Sequence, residues 1–399
     1  MELTPGLRRI PPPDLEAVGQ DEDLAQRIRA EIERDGPITF ARFMDLALYD
    51  PAGGYYRSEE ARPGRGGDFL TAPETHPIFG ATLARFVEDT WQRLGRPARF
   101  VVREYGAGEG ALALAVLRAL RDAGSELIHA ICYQPVEVDP RRLGAFEYHV
   151  SGAGFGGAVE QADDRPVTGL VLANEVLDAL PVHRVVQRGD ELLESRVGLD
   201  GRRFIDVETA PSTPALFVRL AAEGITLADG QRAEICLALD GWLSEAAAGL
   251  GTGALLVIDY GYPAIELYDP VRRGDGTLRA YLRHRVHDDP YIHVGRQDLT
   301  AHVDVDAVQR AATGAGLAHL GTTTQAEFLV GLGMDELLRK IQSDPATTME
   351  AYLAVRSAVM RLLDPAAMGR FRVMAFGRDW PGGTEGRPLA GLGYRVRWR

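Results

Sequence analysis

Residues Phe100–Leu120 read FVVREYGAGEGALALAVLRAL, and this stretch predicts the junction of a strand with a helix. Its first part is apolar and β-branched, glycine occupies every second position from Gly106 to Gly110, and the remainder has helical periodicity. Glycines at such a junction permit a tight turn and let a ligand approach the backbone closely. The stretch therefore predicts a ligand-binding loop, with a purely structural turn as the alternative.

Two acidic residues indicate which kind of ligand this loop binds. Glu104 stands just before the glycines, where a dinucleotide would place its negatively charged pyrophosphate. S-adenosylmethionine carries no phosphate, and its sulfonium and ammonium groups would be attracted by a carboxylate. Glu137, at the end of the next predicted strand, could accept hydrogen bonds from both ribose hydroxyls. We therefore expect S-adenosylmethionine as the cofactor, unless both carboxylates are simply solvated.

Strands and helices alternate through most of the chain after residue 99. The segments SELIHAICYQPVEVD, VTGLVLANEV and GALLVIDYG are predicted strands, which indicates an α/β fold with a parallel sheet covered on both faces. Residues 182–210 interrupt this pattern and predict antiparallel strands with tight turns, and residues 262–300 are polar without long periodicity. Near the C-terminus, AHLGTTTQAEFLV and RFRVMAFG are predicted to be antiparallel edge strands that complete the sheet.

The N-terminal quarter of the chain is predicted to be helical. Apolar spacing predicts an amphipathic helix over Asp21–Arg34, Thr39 could cap a second helix, and a third helix is expected over about Pro77–Leu94. We therefore divide the chain into a flexible N-terminus (residues 1–20), a helical extension with a lid loop (21–98) and a core (99–399). The core contains two insertions, at about residues 182–230 and 262–300.

Composition limits the other possibilities. The net charge of −13 opposes nucleic-acid binding and suits a basic partner such as an arginine-bearing protein segment, although acidity also serves solubility alone. No apolar stretch is long enough to insert into a membrane, and the N-terminus lacks a signal core or transit peptide, so the cytosol is the predicted compartment. His284, His302 and Asp304 match no compact ligand spacing, so no metal is expected.

Several motifs resemble the MidA-like methyltransferase family, which includes a mitochondrial complex I assembly factor that methylates an arginine. These motifs follow the family's order over most of the chain: GPITFARFMDLALYDPAGGYY, GRGGDFLTAPETHPIFG, REYGAGEG, LANEVLDALPVHR, LLVIDYGYP, DGTLRAYLRH, DLTAHVDVDAV and EFLVGLGM. The resemblance implies a class I S-adenosylmethionine-dependent methyltransferase fold, which is a Rossmann-like, seven-stranded, mostly parallel sheet with an N-terminal helical extension and inserted segments.

The resemblance also assigns the cofactor site. The family's glycine loop maps onto Gly106, Gly108 and Gly110, with Glu104 before it, and its ribose-binding acid maps onto Glu137. This loop, YGAGEG, differs from the family's common LGPGRG or LGAGTG by a bulkier first residue, Tyr105, and by a second acid, Glu109.

The long N-terminal loop is a further part of the cofactor site that the resemblance implies. Asp68 and Thr71 belong to this loop, which would lie over the cofactor and shield the reaction from water. A packed structural loop is the alternative.

The segment NEVLDALPVH follows the strand that, in this fold, ends beside the transferable methyl group. Asn174, Glu175 and Asp178 are therefore the predicted catalytic residues. Carboxylates would orient a planar guanidinium through bidentate hydrogen bonds and receive the proton that is released. For Asp178, a helix-start carboxylate is the alternative.

The function that these observations favour is a protein arginine N-methyltransferase of the complex I assembly factor type. The partner would be a protein with an accessible arginine, for which a respiratory complex I subunit is one candidate. A small-molecule O- or N-methyltransferase is the main alternative, followed by a non-catalytic assembly or binding factor with the same fold, and then by a nicotinamide dehydrogenase. The sequence does not indicate the oligomeric state.

Overall fold

The computed structural model describes residues 18–58, 71–381 and 388–393 of the chain. In those residues the helices are α1 Glu22–Asp35, α2 Phe40–Tyr49, α3 Ala72–Thr75, α4 Ile78–Arg93, α5 Ala111–Asp122, α6 Pro140–Gly152, α7 Ala215–Ala222, α8 Ala238–Ala248, α9 Ala264–Leu267, α10 Val305–Gly314, α11 Gln325–Gly331, α12 Met334–Ser343 and α13 Met349–Leu363.

The strands in the same residues are short to medium in length. They are β1 Ile38–Thr39, β2 Phe100–Tyr105, β3 Ile131–Val136, β4 Val167–Asn174, β5 His183–Arg188, β6 Glu191–Asp200, β7 Arg203–Thr209, β8 Arg232–Ile235, β9 Leu250–Asp259, β10 Gly261–Tyr262, β11 Arg279–Leu282, β12 Arg285–His287, β13 Asp298–Thr300, β14 Val303–Asp304, β15 Ala318–Thr324 and β16 Arg372–Arg378.

The central sheet has the strand order β15-β16-β9-β4-β2-β3. Strands β3, β2, β4 and β9 are parallel to one another, whereas β16 runs antiparallel to both of its neighbours, β9 and β15. The carboxyl ends of the four parallel strands consequently meet along one edge of the sheet, which is where α/β proteins place their ligands. The predicted mixed, mostly parallel α/β sheet is confirmed.

The seventh strand of the predicted fold is reduced to a single contact. In the described residues the central sheet has six strands. Beyond β3, at the place of a seventh strand, Val159 forms an isolated parallel bridge with Tyr133. The segment around Val159, GFGGAVEQADDRP, is rich in glycine and acidic residues and lacks the run of β-branched residues that favours a strand.

Helices cover both faces of this sheet. Along β4 the side chains alternate, so that Leu170 and Leu172 join the core formed with α4 and α5, whereas Val171 and Ala173 join the core formed with α8 and α10. Such burial on both faces explains why β4 reads as a continuous apolar run in the sequence.

The N-terminal helices follow the predicted pattern. The N-cap of α1 is Asp21, whose carboxylate accepts from the Leu24 N–H at 2.9 Å, and the N-cap of α2 is Thr39, whose hydroxyl accepts from the Arg42 N–H at 3.1 Å. Helix α4 occupies the range predicted for the third helix. No helix in the described part of the chain combines the length and apolarity needed to traverse a lipid bilayer.

The segments that interrupt the alternation form two further sheets. Strands β5, β6 and β7 pair antiparallel, as predicted for residues 182–210, and the sheet also contains β1 and β8 in the order β1-β6-β5-β8, with β7 on β6. Within residues 262–300 the strands β12, β11 and β13 form a three-stranded antiparallel sheet that the sequence patterns did not predict.

The C-terminal strand prediction is partly wrong. Strand β16 forms within RFRVMAFG, but it lies inside the sheet between β9 and β15, and only the first half of AHLGTTTQAEFLV is a strand. The second half is α11, because Thr324 and Glu327 form a capping box in which each side chain accepts from the backbone N–H of the other residue. The preceding threonines, Thr322 and Thr323, belong to β15.

Candidate active site

A cavity of about 1080 Å³ lies at the carboxyl ends of β2, β3, β4 and β9. Its walls come from the loops after these strands, from the N-terminal helices and from the insertion that contains β11 and β13. We name its two parts by their most distinctive residues. The glycine end is formed by Glu104, Gly106, Gly108 and Glu137, and the tyrosine end is formed by Tyr49, Tyr56, Asp178, Tyr260 and Asp298.

The backbone of the glycine end depends on residues without side chains. Gly106, Gly108 and Gly110 have φ angles of 66°, 54° and 89°, in the left-handed region that favours glycine. A Cβ atom at Gly106 would lie 3.0 Å from a methyl group of Val176, whereas a Cβ atom at Gly108 would meet nothing within 4 Å. The loop therefore passes close to the end of β4 and leaves open space at Gly108.

Glu104 is a buried carboxyl group on the wall of the cavity. Its side chain is 4% exposed, and the Tyr133 hydroxyl donates a hydrogen bond to its Oε2 atom at 2.5 Å. Burial raises the pKa of Glu104 to about 8, and the nearby charge of Glu137 adds to this rise, while the hydrogen bond from Tyr133 opposes it. A cation beside this carboxyl group would favour its ionised form.

Glu137 lies beside the glycine loop at the end of β3. Its Oε2 atom accepts from the Gly108 N–H at 2.9 Å, and its Oε1 atom accepts from the Val138 N–H at 2.7 Å. These bonds fix the carboxylate on the cavity wall, half-buried and next to the open space at Gly108.

The end of β4 brings Asn174 and Glu175 to the junction of the two ends. Glu175 has a φ angle of 54°, which is unusual for a residue with a long side chain, and its N–H donates to the Ile258 carbonyl at 2.8 Å. Its Oε1 atom accepts from the Ala72 N–H at 2.8 Å and from the Asn174 side-chain amide at 3.1 Å. Burial raises the pKa of Glu175 to about 8.

The bond from Ala72 connects the N-terminal extension to this carboxyl group. Thr71, directly before Ala72, lines the cavity, and its hydroxyl donates to Glu74 at 3.0 Å. Burial raises the pKa of Glu74, so this part of the wall is acidic but poorly solvated.

Asp178 and Asp259 are buried carboxyl groups that organise the turn after β4. The Oδ2 atom of Asp259 accepts from the backbone N–H groups of Val176, Leu177 and Asp178 at 3.2, 2.8 and 3.3 Å. The Tyr260 hydroxyl donates to Asp178 at 2.5 Å. Burial raises the pKa of both aspartates.

Aromatic side chains form most of the remaining wall at the tyrosine end. The Tyr49 hydroxyl donates to the Ala179 carbonyl at 2.9 Å, and the Tyr56 hydroxyl donates to Asp298 at 2.8 Å. The two tyrosine rings stack with centroids 5.5 Å apart. Tyr281 and Phe371 also line this part of the cavity.

Most residues that the sequence singled out meet at this one cavity. Its walls include Thr71, Glu104, Gly106, Gly108, Glu137, Asn174, Glu175 and Asp178. Gly110 packs elsewhere, because its missing Cβ would lie 3.0 Å from the Phe146 ring, and it serves as the N-cap of α5. Asp68 lies outside the described residues.

The variant positions of the glycine loop take different environments. Tyr105 packs edge-to-face on Trp242 with ring centroids 5.2 Å apart, which directs its bulk along the cavity wall. Glu109 is exposed on the cavity rim, so water screens its charge.

The histidines considered for a metal site have structural environments. His284 lies in the exposed turn between β11 and β12, and Asp304 is the N-cap of α10, where its carboxylate accepts from the Ala307 N–H at 3.0 Å. His302 packs against Tyr260 with ring centroids 5.3 Å apart, and burial lowers its pKa to about 4, which keeps the imidazole neutral.

Several residues of the cavity were missed from the sequence. Tyr260 lines the cavity directly after β9, and Asp259, which ends β9, holds the turn behind the cavity wall. The rule that neighbouring parallel strands end at one edge could have found both residues. Tyr49, Tyr56 and Asp298 come from segments far from that edge in the sequence, and no local pattern marks them.

The family model described as "Putative S-adenosyl-L-methionine-dependent methyltransferase" matches residues 82–323, which is more than half of the chain. The chain belongs to this family. The matched part of this methyltransferase contains β2, β3, β4 and β9, and therefore the strand ends that form the cavity.

Curated relatives and solved structures extend this result over most of the methyltransferase. The mitochondrial protein arginine methyltransferase NDUFAF7 homolog of Drosophila melanogaster is 30% identical over 88% of this chain and 84% of its own length. Its human counterpart is 28% identical over 88% of this chain and 82% of its own length. A Burkholderia thailandensis protein crystallised with S-adenosyl-homocysteine superposes with a TM-score of 0.84 at 35% identity, covering 96% of this chain and 97% of that protein.

These relationships confirm the predicted family, fold class, enzyme class and cofactor. The chain is an S-adenosylmethionine-dependent methyltransferase with the class I fold. The residues present suit this cofactor, because the glycine end combines open space at Gly108 with the carboxyl groups of Glu104 and Glu137.

The predicted cytosolic location is wrong, because the relatives from Drosophila, mouse and human are mitochondrial proteins. The prediction relied on the absence of an apolar signal core and on acidic residues near the N-terminus. Neither feature specifies a compartment.

Proposed function

We propose that this methyltransferase transfers a methyl group to the guanidinium of an arginine in a protein. The observation that carries this proposal is the chemistry of the cavity beyond the glycine end, where Glu175, Asp178 and Asp298 place three carboxyl groups among tyrosine rings. A guanidinium is a planar cation with several N–H donors that pairs with carboxylates and stacks on aromatic rings. The relatives that are named protein arginine methyltransferases support the same choice of acceptor.

The glycine end would hold the cofactor in this proposal. Glu104 would pair with the amino-acid ammonium, and Glu137 would accept hydrogen bonds from the ribose hydroxyls. Gly106 and Gly108 would let the ligand approach the backbone, and the loop with Asp68 and Thr71 would cover it. When bound, S-adenosylmethionine supplies a methyl group that its sulfonium already activates.

The residues after β4 would orient the acceptor. Asn174 and Glu175 lie between the two ends of the cavity and Asp178 lies at the tyrosine end, so a guanidinium bound among them would be close to the cofactor and in a fixed orientation. Burial raises the pKa of Glu175 to about 8, so this group would be ionised once the cationic guanidinium binds beside it. The ionised carboxylate would then receive the proton that the guanidinium nitrogen loses. Asp259 would act as a positioning residue, because it holds the N–H groups of residues 176–178.

The partner in this proposal is a protein segment with an accessible arginine. The net charge of −13 favours association with such a basic segment. A respiratory complex I subunit is one candidate that the family resemblance suggests. The helical extension of residues 21–98 would take part in the site, since Tyr49, Tyr56 and Ala72 reach the cavity or its carboxyl groups.

Labelling identifies the acceptor directly. The protein is incubated with S-adenosylmethionine carrying a labelled methyl group and a lysate of the source cells, and the labelled species are analysed by mass spectrometry. We expect the label on protein, and as methylarginine after acid hydrolysis. Label on methyllysine or on metabolites alone would contradict the proposal.

A small-molecule acceptor is the second candidate, and the number of aromatic side chains at the tyrosine end favours it. Tyr49, Tyr56, Tyr260, Tyr281 and Phe371 would suit a flat organic molecule as well as an arginine side chain. Separating the labelled lysate by size distinguishes these candidates, because a metabolite passes a small-pore membrane and a protein does not.

A further inference from the structure

Asp298 is a carboxyl group at the tyrosine end that lies outside the loops after the parallel strands. It begins β13 in the polar insertion, lines the cavity and is 2% exposed. Burying a carboxyl group costs free energy unless it has partners that stabilise it. Its place on the cavity wall puts its carboxyl group within reach of a molecule that is bound there.

Two structural elements hold Asp298 in place. Strand β13 pairs with β11, where Asp298 lies opposite Tyr281. On the other side, the Tyr56 hydroxyl donates to the Oδ1 atom of Asp298 at 2.8 Å, and the Tyr56 ring stacks on Tyr49. The Tyr49 hydroxyl in turn donates to the carbonyl of Ala179, the residue that follows Asp178. Asp178 and Asp298 therefore belong to one connected wall of the cavity.

We propose that Asp298, positioned by Tyr56, binds the guanidinium of the acceptor and thereby selects arginine. This inference rests on the proposed function. Asp178 follows β4 and Asp298 begins β13, and the charges of both carboxyl groups act on the Tyr56 hydroxyl. A planar group with donors along more than one edge can therefore bond to both elements. The ammonium of a lysine is a compact point charge and lacks this extended arrangement of donors.

The role of Asp298 predicts a specific kinetic signature. Asp298→Asn keeps the size of the side chain and removes its charge, so the apparent KM for acceptor protein, measured by serial dilution of the lysate, should rise about tenfold or more. The affinity for S-adenosylhomocysteine, measured by calorimetry, should stay within about twofold, because the glycine end is unchanged. Tyr56→Phe keeps the ring and removes only the hydroxyl, so it should raise the same KM about threefold.

Asp288→Asn is the matched control, since Asp288 lies in the same insertion but its side chain is 83% exposed, and this variant should retain the wild-type KM. If wild-type protein labels no arginine, the proposed function and this inference fail together. If it labels arginine and Asp298→Asn has the wild-type KM, only the inference is wrong. If Asp298→Asn does not fold, the Tyr56→Phe result decides, and an unchanged KM for that variant overturns the inference.

Discussion

The two ends of the cavity are built in different ways. The glycine end comes from one continuous segment, β2–α5–β3, in which Glu104, the glycines and Glu137 follow one another. The tyrosine end is assembled from the N-terminal helices, the turn after β4, the end of β9 and the strand β13. In the proposed assignment, the shared fold would supply the cofactor site, whereas additions to that fold would supply most of the acceptor site.

Buried acids are nevertheless common to both ends. The pKa values of Glu104, at the glycine end, and of Glu175, at the junction beside the tyrosine end, are both raised to about 8, in each case mainly by burial. Raised values of this kind are frequent at functional sites. Each end is therefore suited to a cation. Replacing one of these acids at a time by glutamine tests whether the two ends bind different cations.

The largest effect should follow the substitution Glu175→Gln. This change removes the carboxylate that would orient the acceptor and accept its proton, so turnover should fall about a hundredfold or more. The affinity for S-adenosylhomocysteine should remain within about twofold, because the glycine end is intact. Single-turnover rates and calorimetry measure the two quantities separately. If the affinity for S-adenosylhomocysteine falls as much as turnover, the separate roles of the two ends are contradicted. Glu126→Gln is the control, because the Glu126 side chain is 77% exposed.

The converse result is expected for Glu104→Gln. Loss of this carboxylate should weaken S-adenosylhomocysteine binding about tenfold to a hundredfold, which is the range for a hydrogen bond to a charged group. Turnover at saturating donor should change much less. Glu109→Gln is the control within the same loop, because Glu109 is exposed on the rim and its removal should leave affinity within about twofold. Unchanged affinity for Glu104→Gln would remove Glu104 from the cofactor site.

The pH dependence of binding sharpens the same assignment. Below the raised pKa of about 8, Glu104 is protonated in the free protein and must lose its proton when a cation binds. Affinity for S-adenosylhomocysteine should therefore increase with pH from 6 towards 8, by at most about tenfold per pH unit. The Glu104→Gln variant should lack this increase, and calorimetry at several pH values measures it. An equal slope in both proteins would contradict the assignment.

The smallest effects should come from the backbone of the glycine end. Replacing Gly106 or Gly108 by alanine puts a side chain at a positive φ angle, which costs about 1 kcal/mol of unfolding free energy. Gly106→Ala should be the more destabilising, because its Cβ atom would also lie 3.0 Å from Val176, whereas Gly108 has open space. Denaturant unfolding of both variants measures the difference. Equal stability of the two would mean that the loop shifts to accommodate the methyl group.

The sequence predicted the parts of the molecule that depend on contiguous patterns. The strand, glycines and helix from Phe100 onwards were predicted as one unit, and Glu104 and Glu137 were found because they end neighbouring strands. Asn174, Glu175 and Asp178 were found by the same rule together with the family resemblance. Each of these residues lines the cavity, while their chemical roles stay predictions.

The remainder could not be predicted in this way, for two physical reasons. Tyr56 and Asp298 meet only because distant segments fold together, and no spacing in the sequence records that contact. The strand predicted over AHLGTTTQAEFLV includes the residues of α11, although Thr324 and Glu327 carry the sequence signature of a capping box. A single sequence holds no record of the contact between Tyr56 and Asp298, whereas it does contain the capping signal of α11.

The backbone of Glu175 has a consequence for attempts to engineer this methyltransferase. Its φ angle of 54° is one that glycine adopts freely and glutamate does not, at a cost of about 1 kcal/mol or more. A glycine at this position would relieve that cost but delete the carboxyl group and the hydrogen bond that it accepts from the Ala72 N–H. Under the role proposed for Glu175, a screen for heat tolerance that selected this glycine would select an inactive protein, so each round of such a screen needs an activity readout.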